Sequence, residues 1–313
     1  MSELAKPRLF TLVVNERSGG GRAGRMLPKV ARRLHEQIPT AELHIISSSS
    51  WVEAENLTRA AALAARPGDG LLVMGGDGMV HLGLNAAAGT EATLGIIPAG
   101  TGNDFARGIG LPRGVDEAVA TIIDGHTRTI DLTRISNPGR PGRYVGAVVS
   151  TGYDARVNRA TNGIRLRLGA LSYGYIALRE LAGFTPLHYE LIIDGEHVQQ
   201  EAMLVAIANT GLFGGGMKVA PDADPTDGEL DLTIIGAVSR TTLLRLLPSM
   251  YSGGFVRHPA VEQLRARRVE VAGEGLFVMG DGEELGPVPV TAEVAPGILN
   301  VFVSEEAAAT LRT

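Results

Sequence analysis

Cysteine is absent from this 313-residue chain. That excludes disulfides, thiolate metal sites and cysteine nucleophiles, and it fits a reducing cytoplasm. Long apolar runs are missing as well: nothing approaches the ~18–20 consecutive apolar residues of a membrane-spanning helix. The first eight residues are polar and hold no apolar signal core. Contact with a membrane, if made, is therefore expected to be peripheral. Aromatic residues are scarce, with one tryptophan in the chain. The net charge of −5 and pI near 5.8 do not favour nucleic acid as a partner. There is no internal repeat and no low-complexity segment. What remains is a globular composition, 44% hydrophobic, of a length that suits two ordinary domains or one large one.

The chain reads as organised around Leu71-Leu72-Val73-Met74-Gly75-Gly76-Asp77-Gly78. Four apolar residues predict a short buried strand, the Gly-Gly-Asp-Gly turn follows, and a helix is expected over 79–88. Glycines allow a sharp turn and close approach of a ligand to backbone amides, and a helix N-terminus favours phosphate. Asp77 is repelled by phosphate unless a cation lies between them, which points to a metal-bound nucleotide. The alternative is a tight turn with a capping Asp.

The pattern on either side is repetitive. Leu9–Val14 predicts a strand running into Asn15-Glu16-Arg17-Ser18-Gly19-Gly20-Gly21, and a helix is expected over 23–37. A strand over 43–46 ends in a serine run, and helix returns over 51–65. Leu94–Ile97 predicts a strand leading into Pro98-Ala99-Gly100-Thr101-Gly102-Asn103-Asp104-Phe105, with helix over 115–124. Alternating strands and helices argue for a parallel sheet wound on both faces, whose ligands bind at the carboxyl ends of the strands. All three Gly-rich loops fall at such ends, so a phosphate-binding cleft is expected.

Beyond about Thr127 the pattern changes. Strands are expected over 144–150, 187–194, 203–208, 230–235, 269–272, 276–279 and 288–294, with helices over 166–182 and 240–251. Consecutive strands argue for an antiparallel sandwich or barrel. Two acidic turns stand out there. One is the run from Phe213 through Asp222, Asp224, Asp227 and Glu229, and the other is Met279-Gly280-Asp281-Gly282-Glu283-Glu284. Acidic turn residues are commonly just turn formers, but phosphoryl transfer needs carboxylates for metal and base.

At these residues the chain resembles the diacylglycerol kinase catalytic family, which includes bacterial lipid kinases and the sphingosine and ceramide kinases. The likeness spans nearly the whole chain. It runs from Asn15 with Ser18-Gly19, through Gly75–Gly78 and Pro98-x-Gly-Thr-Gly-Asn-Asp-Phe-Ala-Arg107, to Ile130-Asp131-Leu132. It continues in Gly214–Ala223, Asp227–Asp231 and Asp281-Gly282-Glu283. The resemblance implies a doubly wound α/β nucleotide domain, like NAD kinase and phosphofructokinase, over residues 1–128. A β-sandwich would follow over 129–300, with 301–313 returning to the first domain. It implies an ATP-dependent kinase acting on a lipid hydroxyl, with Mg²⁺. ATP would lie on Asn15, Ser48, Gly75, Gly76, Asp77, Gly78 and Thr101, in a site that also includes Asn103 and Asp104. Glu283 would be the general base, with Asp281 and Asp131 nearby. Asp227 would hold Mg²⁺ with backbone carbonyls of Asp224 and Glu229.

Arg17, Arg22, Arg25 and Arg107 are candidates to stabilise the transition state, or else solvated surface. The family's Thr and Asn-Glu after Gly-Gly-Asp-Gly are replaced here by Met79, His81 and Leu82. Two other readings follow: an NAD kinase-like enzyme, or a nucleotide- or lipid-binding regulator without catalysis. The 166–182 helix, apolar with Arg165, Arg167 and Arg179 around it, would either meet an anionic membrane or pack on the sandwich. Arg265, Arg267 and Arg268 form a basic cluster read as a solvated face. The expected location is the cytoplasm, with peripheral contact at the inner membrane face. An exposed edge strand of the sandwich could pair two subunits.

Overall fold

The computed structural model describes residues 9–48, 50–100, 102–162, 179–181 and 183–310. The chain divides into two compact units, residues 1–132 with 296–313, and residues 133–295.

In the first unit, apolar runs of six residues become strands and the segments between them become helices. The order is β1 (Leu9–Val14), α1 (Ser18–Gln37), β2 (Glu42–Ser47), α2 (Trp51–Ala64), β3 (Gly70–Gly75), α3 (Asp77–Ala87), β4 (Thr93–Pro98), α4 (Asp104–Gly108) and α5 (Val115–Asp124). The strands pair in parallel in the order β4-β3-β1-β2. β3 and β4 are buried along their whole length, as strands covered on both faces must be. Alternation decides which side chain faces which layer. Phe10, Leu12, Val14, Leu72 and Met74 join Val30 and Leu34 of α1 and Val119 and Ile122 of α5 in one core. Val73 faces the other way, against Gly83 of α3; a Cβ on Gly83 would stand 2.6 Å from it. The first turn of α1 is not regular helix, because Gly19, Gly20 and Gly21 all take left-handed conformations.

The sheet is extended by the end of the chain. In β17 (Val290–Phe302), Asn300 and Val301 pair in parallel with Thr93 and Leu94 of β4. The ring of Phe302 lies 6.3 Å from that of Phe10. The strand that leaves this unit is β5 (Thr127–Ser136).

The second unit is mostly strand: β6 (Arg143–Val145), β7 (Val148–Gly152), β8 (Leu187–Ile193), β9 (Glu196–Ala208), β10 (Leu212–Phe213), β11 (Met217–Lys218), β12 (Leu230–Gly236), β13 (Val261–Ala266), β14 (Arg268–Ala272), β15 (Phe277–Gly280) and β16 (Glu283–Pro287). Among the described residues, the α-helices α6 (Tyr153–Asn162) and α7 (Arg240–Met250) lie between them, and α8 (Glu305–Thr310) closes the described chain in the first unit. Every pairing among the unit's strands is antiparallel. β9 is the hinge of the arrangement. Its first half pairs with β8, and its second half lies between β7 and β12. Val149, Tyr189, Leu191, Val205, Leu232, Val269 and Val278 fill the core enclosed by these strands.

The structure departs from the sequence expectation within this unit. The strand expected over 144–150 is two strands, parted at Gly146-Ala147. The stretch 261–266, not expected as a strand, is β13, lying along β12. The helix expected over 166–182 lies largely outside the described residues.

Candidate active site

In the first unit the predicted nucleotide loops meet at the carboxyl edge of the sheet. β3 ends at Gly75, and Gly76 is the N-cap of α3. Gly75 O accepts hydrogen bonds from the amides of Ala99, at 2.8 Å, and Gly100, at 3.1 Å, so the β3 and β4 loops are laced together. The lacing requires glycine: a Cβ on Gly100 would stand 2.4 Å from the Gly76 Cα. Asp77 secures the same junction. Its carboxylate accepts the amide of Asn103 at 3.1 Å and that of Asp104 at 2.9 Å. Asp104 opens α4, so Asp77 supplies negative charge to the start of a helix distant in sequence. The β1 loop joins on the other side. The Asn15 amide donates to Met74 O at 3.3 Å, Asn15 Oδ1 accepts the amide of Arg17 at 3.1 Å, and a Cβ on Gly19 would stand 2.1 Å from Ala99 O.

Asn15, Gly75, Gly76, Asp77, Gly78, Asn103 and Asp104 are thus gathered along one edge. Ser48 follows β2 and is built into the start of α2, its Oγ 2.7 Å from Ser50 O and 2.9 Å from Glu53 Oε2. Thr101 lies outside the described residues. Of the arginines, Arg107 pairs with Asp104 at 3.5 Å and Arg25 donates to Gly20 O at 3.3 Å. Met79, His81 and Leu82, which replace polar residues of the family pattern, are all buried on α3. Asn85 Nδ2, one turn on, donates to His81 O at 2.9 Å and lies 3.4 Å from its Nε2. The imidazole therefore belongs to the packing of α3.

Asp131 is placed apart from this edge in its bonding. It is 3% exposed and accepts the amide of Gly297 at 2.7 Å, tying β5 to the returning strand.

The second unit carries the other predicted carboxylates. β15 and β16 are joined by the two residues Asp281 and Gly282, both with positive φ (50° and 84°). This is the turn that Asp-Gly favours in a two-residue hairpin. The Asp281 carboxylate accepts the amides of Gly146 and Ala147, each at 2.8 Å, and its own amide donates to Val148 O at 3.3 Å. That is why the expected 144–150 strand breaks at Gly146-Ala147: its amides turn to the hairpin. Asn209 holds the same corner, with Nδ2 donating to Gly146 O at 3.0 Å and its amide to Ala147 O at 2.8 Å. Sequence reasoning missed Asn209; its one signal was a polar Asn-Thr-Gly directly after an apolar strand. On the far side of Glu283, Glu284 is held by both nitrogens of the Arg159 fork at 2.9 and 2.6 Å. Glu283 itself, between these two anchors, is exposed.

The loop of Asp224, Asp227 and Glu229 lies at the same end of this unit. Asp231, at the start of β12, is opposite Ala208, which is opposite Val148, which accepts from Asp281. Three strand spacings, roughly 14 Å, therefore separate the start of β12, which follows this loop, from the hairpin. Asp224 Oδ1 accepts the amide of Thr226 at 3.1 Å and its hydroxyl at 2.7 Å. Asp227 Oδ1 accepts the amide of Glu229 at 3.0 Å. The guanidinium of Arg265 is bonded to Asp227 Oδ2 and lies 3.1 Å from Glu229 Oε2. Burial pushes the Asp231 carboxyl up to about 6 against the pull of Arg265. The oxygen donors are of the kind Mg²⁺ takes. The carboxylate expected to hold the ion already carries a cation, so the loop as arranged does not fit a divalent ion on Asp227. Among the described residues there is also no group of three or more acidic or His side chains placed to hold a metal.

Comparison with known proteins agrees with the layout. Residues 9–135 match the diacylglycerol kinase catalytic domain, and residues 147–303 match the YegS C-terminal NAD kinase beta sandwich-like domain. A diacylglycerol kinase of Mycobacterium tuberculosis is 38% identical over 295 residues, which is 93% of this chain and 94% of that protein. A diacylglycerol kinase of Bacillus subtilis is 32% identical over 245 residues, 75% of this chain and 78% of that one. A solved diacylglycerol kinase structure from Bacillus anthracis has the same fold, with a TM-score of 0.72 at 20% identity, covering 98% of this chain and 100% of that one.

Proposed function

Because the chain belongs to the diacylglycerol kinase catalytic family, we propose that it transfers the γ-phosphate of ATP to the hydroxyl of a lipid such as diacylglycerol. The observation that carries this reading is the Asp281-Gly282 hairpin. It fixes Asp281 on two backbone amides and Glu284 on an arginine fork, and leaves the exposed Glu283 carboxylate between them. A lipid alcohol is a weak nucleophile, and a positioned carboxylate accepts its proton as attack on phosphorus proceeds. Glu283 is the base in this reading, and Asp281 positions it. The laced glycine loops at the start of α3, with Asn15, Ser48, Asn103 and Asp104, bind the nucleotide, and Thr101 is assigned to the same role by the family motif alone. Asp131 contributes through the strand it ties down. Mg²⁺ bound with ATP would neutralise charge on the phosphates. The lipid is met at a membrane surface by peripheral contact; among the described residues no helix is long and apolar enough to cross a membrane.

The test is phosphate transfer to lipid by wild type and Glu283→Gln under identical conditions. The variant should melt as the wild type does and bind ATP equally well, while kcat falls by about 10²–10⁴-fold. Turnover unchanged in Glu283→Gln would remove Glu283 from the chemistry.

A further inference from the structure

Five carboxylates, Asp222, Asp224, Asp227, Glu229 and Asp231, fall within ten residues at the entry to β12. Such a run repels itself unless a cation is placed among the side chains. The resemblance assigns that part to a divalent ion, but the strand register brings in a different one. β13 runs antiparallel along β12 with Arg265 directly opposite Asp231. From that position the guanidinium reaches back to Asp227 and Glu229, the two ends of the Asp-Gly-Glu turn. Asp227 Oδ1 meanwhile accepts the Glu229 amide, so the guanidinium and the turn share one carboxylate. A planar, permanently charged fork suits bridging two carboxylates.

We propose that Arg265 is the resident cation of the 224–229 loop. It takes the place of the divalent ion that the resemblance expects there, and orders the loop without metal. A guanidinium and Mg²⁺ on the same Asp227 oxygen would repel each other, so the two are alternatives. Removing the guanidinium then converts the loop into a metal-dependent one. The proposal concerns the second unit alone and does not depend on the kinase reading.

The experiment is hydrogen exchange of the peptide covering residues 222–231 in the full chain, without nucleotide, in EDTA and in about 10 mM Mg²⁺. The wild type should show the same protection in both. Arg265→Gln should exchange about tenfold faster in EDTA and recover protection in Mg²⁺, as expected for an ion that binds the ordered loop better than the open one. The double variant Arg265→Gln/Asp227→Asn should lose that recovery. Wild-type protection that requires Mg²⁺ would overturn the proposal, and this comparison needs no variant to fold. Two further results would overturn it: Arg265→Gln protected like the wild type in EDTA, or unprotected in Mg²⁺.

Discussion

Three carboxylates of this chain hold backbone at junctions of the fold. Asp281 accepts two amides of the β6–β7 corner, Asp77 two amides at the start of α4, and Asp131 the amide of Gly297. Each stabilises a junction between segments far apart in sequence. Deleting such an acceptor leaves amides without partners, at about 1–3 kcal/mol. Asp281→Ala should therefore lower stability by about that amount and also reduce kcat with little change in the KM for ATP, because it loosens the mount of Glu283 and not the nucleotide loops. A melting curve and steady-state kinetics on one preparation check both. A fall in ATP affinity equal to the fall in kcat would mean that Asp281 acts on the nucleotide. His81, which stands where the family pattern has Asn, is buried on α3 together with Met79 and Leu82.

At the scale of elements, the decisive contact is between the β3 and β4 loops. Gly76 and Gly100 approach so closely that a methyl group cannot be inserted without moving backbone. Gly100→Ala should destabilise the first unit by about 1–3 kcal/mol through overpacking. It should also weaken ATP binding, which isothermal titration would read directly; wild-type affinity would show that the lacing is not needed for the nucleotide. The first unit's elements were legible because each buried strand is one apolar run and each loop one glycine cluster. The second unit was less so. α6, Tyr-Asp-Ala-Arg-Val-Asn-Arg-Ala-Thr-Asn, is too polar to announce a helix. β9 has a single sequence but pairs with different neighbours along its length, which no local pattern encodes. The Asp281-Gly282 turn was readable from its dipeptide. The bond from Arg265 to Asp227 spans 38 residues and was not, so Arg265 read as one of three surface arginines.

For the whole molecule, the first unit is assembled from both ends of the chain. Asn300 and Val301 extend its sheet, Phe302 packs on Phe10, and the Val303 amide donates to His126 O at 2.9 Å. Truncation after Ala295 removes all three together with the Gly297 partner of Asp131. The shortened chain should expose β4 and α5 to limited proteolysis at protease levels that spare the intact protein; equal resistance would show that the unit folds without its last strand. The proposed activity is phosphorylation of a lipid alcohol. Its most direct test is transfer of labelled γ-phosphate from Mg·ATP to a panel of lipid alcohols in mixed micelles, with NAD⁺ as a parallel acceptor. A lipid kinase gives a labelled lipid and leaves NAD⁺ unphosphorylated. Labelled NADP⁺ would contradict the proposed activity in favour of an NAD kinase, and ATP binding with no labelled product would contradict it in favour of a regulator.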